Sequence, residues 1–521
     1  MEIEITTENL VGGCVTDKKQ PRFSFKILSE KQNIELESAE IRVGEWKCKT
    51  CDQLLIPYGG EPLKPFTEYK VKVTAENNLG EKARAVSSFF TGRMDTPWKA
   101  KWISDGKKIK AKHGLPAPAV FRKKFASEKK AVKAEIYCSA TGNYEITFNG
   151  GKIGGDNSGA EKYRVYDITS LIDGECEILV TVGGAEKRAV LLEIRIVYDD
   201  GAEMLIATDG DWEVCESTEN PAWRKVKCEK LSSSGITAAA PRVEQSGNSF
   251  TCSDKLLNKI YADAVGEKRG AAVSALWADY FVSGDIQPLE ENYEALKKSI
   301  KAEKRSKDAV LLSCGIMEKV AVILGKQKDA AVFKDLFTKT AEEYVSALEG
   351  RLFKEQQKDY ALALYCGAFP EDKRRKAADN LKKLVEINGL DGAAAPYILY
   401  ALADNGQEAA AFGILLNSEN PYSSYTAASF LTERVAGIVA SEAGFRRFMI
   451  KPLIGGGLTY AKGEVQTPYG KVISEWKTQG SRFSVKIRVP ACAECDVYLP
   501  NGESIGVGSG EYEFTARLNE K

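Results

Sequence analysis

The sequence predicts a multidomain β + α protein: an N-terminal β-sandwich, a jelly-roll β-sandwich, a shortened (α/α) toroid and a C-terminal antiparallel β domain. Three observations carry that expectation. The hydrophobic period is 2 up to about residue 250, shifts to 3.6 from about 253, and returns to 2 from about Gly444. A chain of 521 residues exceeds what one hydrophobic core organises, so several domains are expected. Short connections between the amphipathic segments of the middle suggest stacked helical hairpins.

Each element has its own signal. In 1–95, Phe23 and Phe25 alternate in PRFSF, and Tyr69, Val71 and Val73 alternate up to a turn at Asn77–Gly80, which suggests a small fibronectin-III-like sandwich. In 96–250, Ile136, Cys138 and Ala140 share one face. Tyr144, Ile146 and Phe148 lead into an Asn149-Gly150 hairpin turn, and VLLEIRIVYDDG ends at Asp199-Asp200-Gly201, as in a jelly roll. In 251–443, Ser253 is placed to cap the first helix. Leu312, Ile316, Val320 and Ile323 form a stripe stopped by Gly325, and Phe333, Phe337, Ala341, Tyr344 and Leu348 form the next. In 444–521, Phe483, Val485, Ile487 and Val489 alternate, and DVYLPNGE reads as a last hairpin of a small β-sandwich. GGG at 455–457 reads as a turn and not a phosphate cradle, since no helix follows it.

Composition excludes some functions. Lys+Arg and Asp+Glu are both 73, so no basic surplus exists for a nucleic-acid backbone. No apolar window is long enough to span a membrane, and MEIEITTENL lacks the marks of a signal peptide, so a cytoplasmic address is expected. Twelve cysteines then read as reduced thiols. Two CxxC pairs, Cys48/Cys51 and Cys492/Cys495, stand at opposite ends of the chain, so no metal and no cofactor is expected. The single histidine, His113, lies in a Lys- and Gly-rich loop, which argues against a histidine-based metal site or a Ser-His-Asp triad.

Several strings resemble the bacterial α-L-rhamnosidases of glycoside hydrolase family 78. LIPYGGEPLKPFTEYKVKV at 55–73 resembles the family's N-terminal module. PAPAVFRKKF at 116–125 and ATGNYEITFNGGKIGGD at 140–156 resemble its jelly roll, LLNKIYADAVGEKRG at 256–270 its first toroid helix, and GFRRFMIKPLIGGGLTYAKGEVQTPYGKVISEWK at 444–477 its C-terminal domain. The resemblance implies an inverting glycosidase, in which one carboxyl group acts as acid and another activates water about 6.5–9.5 Å away.

The resemblance also shows what is missing. The family draws its acid from a motif like DCPxRERxGWTGD soon after the first helix; here that helix is followed by AAVSALWADYFV. Its base lies in a segment like GATTIWERW near the toroid's end; here PYSSYTAASFLTERVAGI runs almost directly into the last helix. Some eight to ten helices are expected in place of the twelve of a full ring, which needs roughly 300 residues. The candidate catalytic carboxylates are Asp279 and Glu433. Trp277, Tyr280, Tyr422 and Tyr425, with Phe281, are the candidate sugar-contacting groups. Asp156 and Asn157 follow a hairpin where related modules bind sugar or calcium, but no tryptophan neighbours them, and loop structure is the plainer reading.

Three readings stay open. The first is a non-catalytic relative that binds a rhamnoside-like carbohydrate or a partner. The second is an active α-L-rhamnosidase with a rebuilt site. The third is an assembly subunit of a homo- or hetero-oligomer, in which a truncated toroid exposes apolar helix faces.

Overall fold

The computed structural model describes residues 1–107, 117–219, 221–239, 248–264, 273–303, 306–349, 356–417 and 424–518. His113 and Tyr422 lie outside the described residues, as does the side chain of Tyr425.

The first 91 residues form a sandwich of a four-stranded and a five-stranded sheet. Phe23, Phe25 and Ile27 of Arg22–Leu28 point into it and meet Ile41, Val71, Val73 and Phe89. The hairpin between Glu68–Asn77 and Lys82–Thr91 closes on Asn77, whose side-chain oxygen accepts from the backbone N–H of Leu79 and of Glu81. The next domain packs a six-stranded sheet on a seven-stranded one. Asn149 and Gly150 both adopt positive φ, the pair of left-handed residues that a type I′ hairpin turn requires.

The alternation of Ile136, Cys138 and Ala140 into the inter-sheet core is present, but Tyr137 and Ser139 are equally buried. A period-2 pattern implies one wet face. Here the linker folds Trp98 and Trp102 over that face, and Phe66 of the first domain stacks edge-on against Tyr137 at 5.4 Å. The two β domains are locked at this seam by a buried ion pair, Arg93–Glu193, with the guanidinium 3.8 Å above Trp98. Glu193 also accepts from the backbone N–H groups of Lys99 and Ala100.

Ten α-helices follow among the described residues: α1 Lys255–Ala264, α2 Val273–Ser283, α3 Gln287–Glu303, α4 Lys307–Ile323, α5 Gln327–Leu348, α6 Gln357–Tyr365, α7 Glu371–Asn388, α8 Ala395–Ala403, α9 Glu408–Leu415 and α10 Ser424–Phe430. Among them α2 packs on α4, α6 on α8, α8 on α10 and α10 on α1, which traces an inner arc. The intervening helices α3, α5, α7 and α9 flank it. None is long and apolar enough to cross a membrane.

Local chemistry sets the ends. Gly325 takes φ +70°, and the N–H of Lys326 reaches back to the carbonyl of Ala321, the Schellman arrangement that stops α4. Two expectations are corrected. The cap of α1 is Asp254, whose carboxylate accepts from Leu257 N–H at 3.0 Å, whereas Ser253 accepts from Thr459 N–H in the C-terminal domain. Of the stripe expected on α4, Val320 is buried and Leu312 and Ile316 are half-buried, but Ile323 is exposed, and Val310, Leu311, Cys314, Met317 and Ala321 are buried as well. An inner helix packed against α2, α3 and α5 is apolar on several sides, so the stripe read from sequence was one of several available.

The C-terminal domain has a five-stranded and a four-stranded sheet. Strand Ser249–Cys252, which precedes α1, pairs antiparallel with Tyr460–Thr467, and strand Ile438–Ala440, which follows the helices, pairs with Arg447–Ile450. One pair in this domain is parallel, Arg447–Ile450 with Glu494–Tyr498. The helical region therefore leaves and re-enters the same β domain. Its exit is fixed by Trp476, whose indole N–H donates to the Val435 carbonyl at 2.8 Å, and by Ser474 Oγ donating to Ala436. Gly437 sits at φ +82°, where a Cβ would come within 2.4 Å of the Lys451 carbonyl carbon.

A charged node ties the first domain to the helices. Arg22 forks onto Asp285 at 2.6 and 2.8 Å and onto Glu8 at 2.7 Å, and Lys18 joins Glu8 to Gln287. Asp285 also accepts from Gln287 N–H at the start of α3. Burial pushes the Glu8 carboxyl up, but hydrogen bonds and charge from Arg22 and Lys18 outweigh it and hold it below its usual 4.5. The folded value is the lower one, so this stabilisation is present above about pH 4.5 and is lost as pH falls through the lowered value. Arg22→Met leaves two carboxylates facing each other and should cost about 3 kcal/mol, the low end for unpairing a buried charge. Denaturant unfolding at pH 7 and again at about pH 3.5 checks it: the gap to the unaltered protein should shrink at the lower pH.

Candidate functional site

The residues singled out from sequence fall into separate places on the helical arc. On α2, Trp277 stands 5.6 Å from Tyr280 and 5.1 Å from Phe281, a cluster of three rings. Trp277 and Tyr280 are half-buried against Leu289, Tyr293, Cys314, Met317 and Phe333. Asp279 points to the exposed side of the same helix. Glu433 lies in a π-helical turn, Leu431–Val435, that continues α10; its neighbours Leu431 and Val435 pack in a cluster separate from that of Trp277 and Tyr280. Such turns recur at functional positions because they re-aim a side chain.

Around Glu433 the structure assembles groups that the sequence did not single out. The Tyr400 hydroxyl donates to Glu433 at 3.0 Å. Burial, then the negative charge of Glu433, raise that hydroxyl well above 10, so it remains a donor at physiological pH. Arg434 grips Asp404 through two bonds of 2.7 and 2.8 Å, lies 3.8 Å from Glu433 and covers the Tyr400 ring at 5.0 Å. Tyr365, from the end of α6, meets Tyr397 at 5.4 Å and Tyr400 at 5.9 Å. Tyr365 is 49% exposed, yet desolvation pushes its hydroxyl up to about 12.

A second polar group sits at the N-terminal ends of α4 and α6. The Tyr344 hydroxyl lies 2.7 Å from Asp359 and 3.0 Å from Asp308, and Lys358 pairs with Asp308. Two carboxylates thus share one hydroxyl. From sequence both aspartates read as ordinary first-turn acids that complement a helix dipole, and nothing in their spacing marks them as neighbours. Tyr397 and Tyr400 were legible only as i, i+3 positions of an apolar helix. Among the described residues no group of three His, Cys, Asp or Glu side chains is placed to hold a metal. In the jelly roll, Asp156 is buried at the end of strand Gly151–Asp156, accepts from Ser158 N–H and pairs at 3.0 Å with Arg164 of strand Lys162–Asp167, so it is an inter-strand ion pair and not the loop residue expected from sequence.

What the arrangement offers chemically is hydrogen bonding and stacking. Aromatic faces and paired donors and acceptors lie on one wall, and a second set of rings lies on α2. The packing of Trp277 distinguishes its two roles. As a core ring, Trp277→Ala should cost about 2 kcal/mol, less than the 3–5 of a fully buried aromatic. As a stacking platform it should cost under about 0.5 kcal/mol. Chemical denaturation of the two proteins decides between them, and the packing predicts the larger value.

Comparison with known proteins adds three regional matches. Residues 3–95 match the Rha78A-like N-terminal immunoglobulin domain, 306–432 the six-hairpin glycosidase domain of bacterial α-L-rhamnosidases, and 437–513 their C-terminal domain. An α-L-rhamnosidase of Streptomyces avermitilis is 25% identical over 36% of this chain and 22% of its own length, and one of Formosa agariphila 22% identical over 47% of this chain and 35% of its own. The matched parts are thus a fifth to about a third of those relatives. Among solved structures, the α-L-rhamnosidase from Dictyoglumus thermophilum superposes with a TM-score of 0.81 at 17% identity, over 98% of this chain and 99% of that one. The Streptomyces avermitilis enzyme complexed with L-rhamnose gives 0.75 at 14% identity, over 99% and 100%. These likenesses share the fold and the order of its domains. With the three domain matches they make this chain an α-L-rhamnosidase-like protein of glycoside hydrolase family 78.

Proposed function

We propose that the protein is a non-catalytic relative of the α-L-rhamnosidases that binds a rhamnoside-like carbohydrate weakly. The observation that carries the reading is the state of the two acid–base positions. The chain after α1 has AAVSALWADYFV in place of an acid-bearing motif. The candidate base, Glu433, is engaged by the Tyr400 hydroxyl and stands beside Arg434. An inverting mechanism needs an acid and a base on opposite faces of the scissile bond. Here Asp279 is carried by α2 and Glu433 by the turn after α10, and neither lies in a motif like those that supply the family's acid and base.

The remaining groups suit recognition. Tyr365, Tyr397 and Tyr400 offer ring faces, and Arg434 and the Tyr344–Asp308–Asp359 set offer the paired donors and acceptors that desolvated sugar hydroxyls require. An open wall excludes water poorly, so affinity for L-rhamnose should be millimolar or weaker, about 4 kcal/mol at most.

One observation favours the competing reading of an active hydrolase with a rebuilt site: Asp308 and Asp359, two carboxylates on one hydroxyl, could divide acid and base roles. Assay of an aryl α-L-rhamnoside separates the two. The proposal expects no turnover above the uncatalysed rate. Turnover that falls about 10²–10⁴-fold in Asp308→Asn, Asp359→Asn, Asp279→Asn or Glu433→Gln would establish the hydrolase instead.

A further inference from the structure

Away from the helical arc, the first and last domains enclose a cavity of about 250 Å³ that neither domain forms alone. The backbone joins the domains around it. Ile34 N–H donates to Ser509 Oγ at 2.7 Å, Asn33 N–H to the Ser509 carbonyl at 2.8 Å, and Cys492 N–H to the Ile34 carbonyl at 2.8 Å. Gly508 keeps this seam close, since a Cβ there would lie 2.6 Å from Asn33 Oδ1.

The buried part of the lining is uncharged, with Ile34 and Ala493 beside the polar Gln53, Tyr469 and Ser509. Gln53 is 5% exposed; it donates to the Phe25 carbonyl at 3.3 Å, and its own oxygen receives no hydrogen bond among the described residues. Tyr469 is 8% exposed, and its hydroxyl has no hydrogen-bond partner among the described residues. Burial raises that hydroxyl above 10, and the nearby Arg446 charge works against the rise. Arg446 lines the same cavity with its guanidinium paired to no carboxylate among the described residues. At the exposed edge stand Glu35, Asp52 and Glu494, the last already 3.4 Å from Arg447.

This lining selects a ligand class. The Gln53 amide oxygen and the Tyr469 hydroxyl line the cavity with no protein partner among the described residues, so a ligand hydroxyl that bonds to them takes the place of water. Three carboxylates at the edge repel an anion. Ile34, Leu36 and Leu54 give the lining a small apolar side of the size of one sugar-ring face, and the rest of it is polar. Pockets for drug-sized ligands run to about 300–1,000 Å³, so this volume suits one small ring and not a chain of them. We propose that the cavity between the N- and C-terminal domains is a binding site for a single neutral monosaccharide, held by Gln53, Tyr469 and Arg446. It is separate from the helical arc and does not depend on the function proposed for it.

Cys51 supplies a local reporter, because it lines the cavity and is exposed, while Cys228 is exposed on the jelly roll. Alkylation by iodoacetamide is followed at each cysteine by peptide mass spectrometry, with and without D-glucose or L-rhamnose at about 100 mM, well above a millimolar constant. Either sugar should slow Cys51 about threefold or more and leave Cys228 unchanged. Tyr469→Phe, which removes one oxygen, and Arg446→Gln at the exposed edge should each weaken that protection, with circular dichroism as in the unaltered protein. A Cys51 rate that neither sugar changes overturns the proposal. So does protection undiminished in both variants, or protection by glycine or sulfate in place of the sugars.

Discussion

The rest of this structure depends on how the helical arc is closed. Among the described residues the two ends of the helical arc are held by a β domain. The strand before α1, Ser249–Cys252, and the strand after the π-helical turn, Ile438–Ala440, both belong to the C-terminal sandwich. Trp476 and Ser474 then clamp the backbone of Val435 and Ala436. Sheet hydrogen bonds and one buried indole thus hold the two ends that helix–helix packing alone would leave free. α1 can meet α10 because their flanking strands are anchored in the two sheets of one β domain.

That constraint explains which parts persist. Helix-capping and core positions serve closure: Asp254 caps α1, Gly325 stops α4, and Gly437 makes the close pass by Lys451. Charge nodes do at the domain seams what the sheet does at the ring. Arg22 binds the first domain to α3 through Asp285, and Arg93 binds it to the jelly roll through Glu193. Each arginine uses its planar fork to join segments far apart in sequence.

Much of the fold was legible in sequence, because its signals are local. Asn149-Gly150 needs only its own backbone to mark a hairpin, and Phe333, Ala341, Tyr344 and Leu348 need only helical spacing to mark a buried stripe. Where tertiary cover intervened, the reading failed in a consistent way. Alternation marked Ile136, Cys138 and Ala140 as one face, and gave no sign that Tyr137 and Ser139 on the other are buried as well, because the linker covers them. Ile323 was assigned to a core and is exposed, because α4 has neighbours on other sides. The site was less legible still. Asp308, Asp359 and Tyr344 come from three helices, and Gln53 and Tyr469 from opposite ends of the chain; no pattern along the sequence encodes such meetings. Glu433 was found by family resemblance, and only the fold supplied its partners Tyr400 and Arg434.

Closure of the arc by the C-terminal sandwich makes these two regions one cooperative unit, and native-state hydrogen exchange tests that directly. Amides of α1, α10 and strand Ser249–Cys252 should open with the same free energy as the strands Tyr460–Thr467 and Gly470–Gln479. Exchange of α1 and α10 several kcal/mol more readily than those strands, with the sandwich still protected, would contradict it.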